Sequence, residues 1–484
     1  MSSFVESYLL TNGPSLSSDI KAELVNNNNI SDVAARQQIS RAKGDIVHLK
    51  NITFPRNESF LYLKEQYQSS QFYQNLYEAL IKVNSITGYV LSAMDCLGGK
   101  VSINKFNTFA PVEYASKKSL IHKIKEQLLN IGFIQEDFNS NGELFLQLNP
   151  LFSPTSRVIS IVHEEKQLLS VITVEDFFKK NSFGSYNKFE QYGNFSGYLW
   201  DITCPSYLLP FRKIANEKVF PGFLVADVLP EKNITVSQVR YFVEKIENLT
   251  HKKNVRPFLP FLIGEHFSED ALLLLREKGV CVSVFDNLLG KSTADLLRDI
   301  ISMMEECKSK ITGDNSEKIE KILKSIIVYE GKTINIKGSL FEMLVANVTY
   351  NLTRGFVKIG KQIELNGEKA EIDIFCEKGA EEFLIIECKA HKANITKDEI
   401  ERWKNRISLI YKWIQSISEY RNRIVAFEYW CTSDYDKEAL DLLKKMKTCK
   451  KYKIEYKNLK EVIDICSKKT ELKNHAKVLK EYYE

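Results

Sequence analysis

Residues 371–392, EIDIFCEKGAEEFLIIECKAHK, put Asp373 on one apolar strand and Glu387 and Lys389 near the end of the next. Side chains alternate faces along a strand, so Glu387 and Lys389 point one way and Cys388 the other. Phe383 to Ile386 favour burial, and an acid followed by a lysine is costly there unless each charge has a partner or a metal. Two carboxylates supply hard oxygen ligands of the kind Mg²⁺ or Mn²⁺ takes, with waters and substrate phosphates completing the shell. A lysine beside them would orient or deprotonate an attacking water and offset charge growing on a phosphate. The metal's share would be to lower the pKa of that water and stabilise the attacking and leaving oxygens. The chemistry expected is phosphodiester hydrolysis.

Such residues need a scaffold, and the flanking sequence predicts one. A polar turn at Lys378 to Glu382 joins the two strands. Downstream, Thr396 and Glu399 form a capping box, and Ile400, Trp403, Ile407, Ile410, Ile414 and Ile417 mark one helical face. Upstream, GSLFEMLVANVTYNL predicts a helix whose buried stripe is Phe341, Leu344, Val345 and Val348, with Glu342 set among them.

An acid on one strand, E-x-K on the next and this helix-strand-strand-helix order resemble the PD-(D/E)xK superfamily, the restriction-endonuclease-like fold. The resemblance implies a Mg²⁺-dependent nuclease in which Asp373 and Glu387 bind metal and Lys389 serves the water. Glu342, at the position of the helix glutamate that this family often adds, would support a second metal or its hydration shell. Glu371 shares a strand face with Asp373 and is its main rival. His391 and Lys392 read as solvent-facing, and Arg402, Trp403 and Arg406 as lying near substrate, with Trp403 better suited to the core. The bland alternative is a strand-end ion pair between Glu387 and Lys389, beside unrelated surface acids, an arrangement worth little energetically.

At 484 residues the chain exceeds what one core usually fills. Its 44% hydrophobic and 27% charged content is that of an ordinary soluble protein. No run reaches membrane-span length and MSSFVESYLL lacks signal-peptide character, so a cytoplasmic protein with no membrane partner is expected. Nine cysteines without a Cys-x-x-Cys pair suit reduced thiols. A net charge of +5 is too slight to indicate nucleic acid by itself, and the lysine-dense stretch Lys444 to Lys460 reads as a solvated helix and edge strand.

The first 70 residues predict a helix at Ser17 to Val25, an asparagine turn, and a second helix capped by Ser31 and ending near Gly44. Ala35, Ile39 and Ala42 form its inward face, leaving Arg36, Gln37, Ser40, Arg41 and Lys43 outside. These types read base edges and phosphates in a major groove. VHLKNITFPRNESFLYL would be a wing hairpin with Arg56 at its tip. The segment resembles winged helix-turn-helix domains, which implies double-stranded DNA as partner, although winged helices also mediate dimers. Residues 71–150 repeat the theme more weakly.

Residues 151–307 run strand, helix, strand, helix, strand from GFLVADVLPEKN onward, the order seen again after FLIIECKA. Internal duplication is therefore expected. Laying IIECK over LVADV sets Ala226 and Val228 where Glu387 and Lys389 stand, so the middle copy reads as a degenerate nuclease-like domain. Residues 308–334, with SEKIEKILKSII, read as a linker before the catalytic domain 335–484. The whole reads as a multidomain chain: a mainly α winged-helix region followed by α/β restriction-endonuclease-like domains. The expected function is a DNA endonuclease in restriction or anti-phage defence, working as a homodimer where both strands are cut. The alternatives are an inactive DNA-binding regulator or scaffold, or an RNA-directed nuclease.

Overall fold

The computed structural model describes residues 4–28, 30–112, 120–138, 143–153, 160–215, 218–309, 334–379, 381–390 and 393–483. Most of the expected linker, with its helix, and both His391 and Lys392 lie outside the described residues. The chain is a multidomain, mixed α/β protein with two compact units, one reaching Ala294 and one starting at Asp295.

The N-terminal unit begins with helices Phe4–Asn12, Ser17–Asn28 and Asp32–Arg41 and strands β1 (Ser15–Leu16), β2 (Ile46–His48) and β3 (Phe60–Leu63). The strands form an antiparallel sheet of order β1-β3-β2. Ser31 caps the third helix, its hydroxyl accepting from the Ala34 amide at 3.3 Å. Ala35 and Ile39 of that helix pack on Val5, Leu9, Ile20 and Leu24, which brings the first helix into the same small core.

A second three-stranded sheet follows, made of β4 (Lys100–Ser102), β5 (Ile134–Phe138) and β6 (Leu144–Leu148) in the order β4-β6-β5. Helices Ser70–Lys82, Ile86–Cys96 and Leu120–Asn130 accompany it. Apolar packing is continuous from Phe60 and Phe72 through Phe106 to Trp200 and Phe242. This packing takes in side chains from all three segments expected before residue 307, beside the separate small core of the first helices.

The middle sheet contains β7 (Glu190–Phe195), β8 (Tyr198–Ser206), β11 (Gly222–Leu229), β12 (Phe258–Gly264) and β13 (Cys281–Val284), in the order β13-β12-β11-β8-β7. A hairpin of β9 (Lys213–Ala215) and β10 (Lys218–Phe220) intervenes between β8 and β11. The C-terminal unit builds its sheet from β14 (Phe356–Leu365), β15 (Glu368–Lys378), β16 (Glu382–Lys389), β17 (Ile424–Cys431) and β18 (Lys453–Lys457), ordered β14-β15-β16-β17-β18. Each sheet runs antiparallel, antiparallel, parallel, parallel from its first strand. Parallel neighbours require a crossover, supplied by helix Val236–His251 in one sheet and Lys397–Ser416 in the other.

The likeness extends to detail. Both crossover helices start from a threonine capping box, Thr235 with Gln238 and Thr396 with Glu399. Ile234 and Ile395, just before the caps, make isolated parallel bridges to Phe267 and Tyr435. Both also donate backbone hydrogen bonds of 2.9 Å to the residue before that aromatic, His266 and Asp434.

Among the described residues no helix is long and apolar enough to cross a membrane, and Cys96, Cys204, Cys281, Cys376, Cys388, Cys431, Cys449 and Cys466 are free thiols. The lysine-dense stretch forms the end of helix Lys437–Met446 and edge strand β18, with Lys444, Lys445, Lys450, Lys451 and Lys453 exposed.

Candidate active site

Strand pairing of β15 with β16 places Ile374 opposite Ile386, so the next outward position sets Asp373 beside Glu387. Asp373 is buried, and its Oδ2 accepts from the Cys388 amide at 2.8 Å. Opposite Asp373 the β14 ladder lapses at Gly360, whose φ is 63°. This left-handed conformation carries no steric penalty for glycine. Glu371, two residues earlier on the strand, is only half-buried where Asp373 is buried, which favours Asp373 as the inward acid.

Glu387 is the hub of the charge cluster. Lys389 Nζ lies 3.1 Å from its Oε1, as strand alternation predicts. Arg406, from the crossover helix, donates Nη1 to Oε1 and Oε2, both at 2.8 Å. Trp403, one turn earlier, is core and packs edge-on against Tyr429 at 5.1 Å, while Arg402 is exposed. Sequence reading placed Arg406 only near substrate, and its pairing with Glu387 was missed. The signal available was a charged residue flanking Ile407 and Trp403 on a helix face that must cover the acid.

Electrostatics show what the cluster lacks. Burial, then the neighbouring Glu387, pushes the Asp373 carboxyl up to about 7. Burial works to lower the Lys389 ammonium, but Glu387 and Asp373 outweigh it and hold its pKa above the ordinary value. Lys389 therefore remains a cation at neutral pH. With its carboxyl held up even beside Lys389 and Arg406, Asp373 forms with Glu387 an oxygen donor pair that a divalent cation fits.

Glu342 does not complete a three-ligand group as expected. Among the described residues no three His, Cys, Asp or Glu side chains are grouped to hold a metal. Glu342 is half-buried on helix Ile334–Thr353, and its charge is felt by the Cys388 thiol. Asp373 and Glu387 would hold a metal alone, the remaining positions going to water and phosphate oxygens.

The middle sheet shows the same register with different consequences. Ala226 pairs with Ile202, so Asp227 comes beside Asp201, and the Val228 amide donates to Asp201 Oδ2 at 2.8 Å as Cys388 does to Asp373. Asp227, not Ala226, therefore stands at the Glu387 position, and Leu229 at that of Lys389. The expected overlay was one residue out. Opposite Asp201 the ladder again lapses, at Tyr192, with φ of 53°.

Cations come from elsewhere. Lys245 donates to Asp227 Oδ2 at 2.6 Å and sits 4.2 Å from the Trp200 ring centre. It lies ten residues beyond Thr235, as Arg406 lies ten beyond Thr396. Lys105, from the second small sheet's short helix Ile103–Phe106, pairs with Asp201. Gln167 adds a hydrogen bond to Asp201 at 3.2 Å.

At the N-terminus, Arg36, Gln37, Ser40, Arg41, Lys43 and Arg56 are all exposed. Arg36 is held to Asp32 at 3.0 Å. Gln37, Gln38, Arg41 and Lys43 line an open groove against Phe4 and Val5. Arg56 occupies the loop between β2 and β3 with φ of 58°.

No family model matches this sequence, and no curated protein matches it. Among solved structures, the chain is similar to a crystal structure of a protein of unknown function, AF1548, at 19% identity. The match covers 23% of this chain and 54% of that one with a TM-score of 0.17, a likeness too slight to carry an argument.

Proposed function

We infer that residues 335–484 are a metal-dependent nuclease domain of the PD-(D/E)xK type, acting on double-stranded DNA. The observation that carries this reading is the convergence of Asp373, Glu387 and Lys389 where β15 and β16 pair, with burial and Glu387 holding the Asp373 carboxyl up. Mg²⁺ held by Asp373 and Glu387 would supply a coordinated water of lowered pKa and neutralise the leaving oxygen. Lys389, kept charged by its two acids, donates to the attacking water or to a phosphate oxygen and does not act as the base. Glu342 tunes the strand from its other face without binding the metal.

The N-terminal unit is the reader. The element order and β1-β3-β2 sheet support a winged helix, in which Asp32–Arg41 presents Arg36, Gln37, Ser40 and Arg41 to a DNA groove. The middle sheet is a degenerate copy of the nuclease fold, supported by its matching strand order, caps and acid register. Restriction or defence against foreign DNA is the biology this combination suits, with a dimer needed where one site must serve both strands.

A second reading, a DNA-binding scaffold without catalysis, is favoured by one observation: Arg406 and Lys389 already engage Glu387. Supercoiled plasmid incubated with Mg²⁺, with EDTA, and with Lys389→Ala protein separates the two. The nuclease reading expects nicked or linear plasmid only from the wild type with Mg²⁺. Plasmid left equally intact by all three, with single-stranded DNA and RNA also uncut, supports the scaffold. Cleavage confined to RNA would retain the chemistry and discard the DNA substrate.

A further inference from the structure

The two sheets place a helix cation on the second acid at the same helical position, and only in the C-terminal sheet is that cation within reach of solvent. Arg406 keeps 21% of its side-chain surface exposed and Lys245 none. A pairing repeated in both copies belongs to the architecture of the crossover helix and is not a chance surface contact. It also creates a conflict, because the oxygens of Glu387 that would face a metal are those Arg406 already holds.

Resting on the nuclease reading, we propose that Arg406 is a positioning residue that gates Glu387: it competes with the divalent cation until a nucleic-acid phosphate draws the guanidinium away. A carboxylate can accept several hydrogen bonds, so the guanidinium does not block the oxygens sterically. It sets a positive charge where a second one must come. Guanidinium matches phosphate oxygens in the same bidentate manner as carboxylate ones. A phosphodiester entering beside Glu387 offers Arg406 a replacement anion and gives the metal further oxygen ligands. Metal and nucleic acid therefore raise each other's affinity, as reciprocal linkage demands. Free enzyme stays poorly loaded, and the site assembles only on substrate. In the middle sheet Lys245 holds Asp227 with neither exposed, so the same gate is permanently shut.

The test is Mn²⁺ binding to the full chain without nucleic acid, read by the loss of free-ion signal in electron paramagnetic resonance. Arg406→Gln should bind Mn²⁺ roughly tenfold tighter than wild type, the scale of an ordinary site-to-site coupling. Arg406→Lys, which retains the charge, should stay near wild type, and Glu387→Gln should lose binding. Equal or weaker binding by Arg406→Gln, with Glu387→Gln still defective, overturns the gate and leaves the nuclease reading standing. Wild-type affinity in Glu387→Gln removes Glu387 as a ligand and overturns both. A readout that needs no variant is the wild-type affinity for a fluorescent duplex in Ca²⁺ against EDTA at matched ionic strength. The gate requires tighter duplex binding in Ca²⁺, and equal binding contradicts it.

Discussion

In the middle sheet Lys105 and Lys245 meet Asp201 and Asp227 with no side chain of the four more than 2% exposed. In the C-terminal sheet Lys389 and Arg406 meet Glu387 with 14% and 21% of their side chains still exposed. One framework thus surrounds a buried pair of acids with sealed cations in one sheet and part-exposed cations in the other. Complete burial demands a partner for every charge, since an unpaired buried ion is strongly destabilising. The middle sheet surrounds its acids with Lys105, Lys245 and Gln167, yet Asp201 keeps one buried oxygen without a hydrogen bond and burial still raises its carboxyl. In the C-terminal sheet the two acids are buried as well, but Lys389 and Arg406 stay part-exposed, and burial together with Glu387 holds the Asp373 carboxyl up.

The largest effect should come from breaking the buried arrangement. Lys245→Met leaves Asp227 buried without its ammonium and should cost the N-terminal unit about 3–5 kcal/mol, measured by urea unfolding. Adding Asp227→Leu should restore most of that loss. Arg406→Gln, at the equivalent helical position, should cost the C-terminal unit clearly less because water reaches the carboxylate it leaves. Equal losses at the two positions would erase the distinction between sealed and open pairs.

A smaller effect is expected from pH. The Asp373 carboxyl is raised from 3.8 to about 7, so the folded chain retains a proton that the unfolded chain releases. This contribution to stability is fully present below about pH 4 and is lost as pH rises through about 7. Asp373→Asn should therefore raise the melting temperature of the C-terminal unit at pH 8 by a few degrees and leave it nearly unchanged at pH 4. In wild type, added Mg²⁺ should produce a similar rise at pH 8, because a ligand that binds only the folded state stabilises it. No gain at pH 8 from either change would show that the acid pair is already balanced.

The smallest effect lies at the reader. Arg41→Ala or Arg36→Ala should each weaken duplex binding modestly and lower the slope of log affinity against log salt by about 1. Arg36 should matter less than Arg41, as Asp32 already neutralises part of its charge.

The strands and crossover helix that carry the C-terminal acids were legible in the sequence because their signals are local. The apolar run closing on Glu387 and Lys389, the Thr396 capping box and the apolar face from Ile400 to Ile414 all depend on neighbours a few residues apart and appear where expected, while Ile417 falls past the helix as its C-cap. The overlay of the middle sheet failed for a physical reason. LVADVL is buried on both strand faces, so it carries no apolar-polar alternation, and without alternation a one-residue slip leaves no trace. Lys105 was beyond reach for another reason: it meets Asp201 across 96 residues of chain, and no local pattern encodes such a pairing. Glu342 was read correctly as an odd residue in an apolar helix, but which strand face it addresses depends on how that helix packs.

The nuclease reading requires that only the C-terminal acid pair cuts. Plasmid cleavage in Mg²⁺ by wild type, Glu387→Gln, and the paired neutralisation Asp227→Asn with Lys245→Gln tests it most directly. The prediction is a loss of at least about a hundredfold in rate for Glu387→Gln, the scale of one group's share in such catalysis, with Mg²⁺-dependent cutting retained by the middle-sheet variant. Cleavage that survives Glu387→Gln, or that disappears only when Asp227 and Lys245 are neutralised, would contradict it.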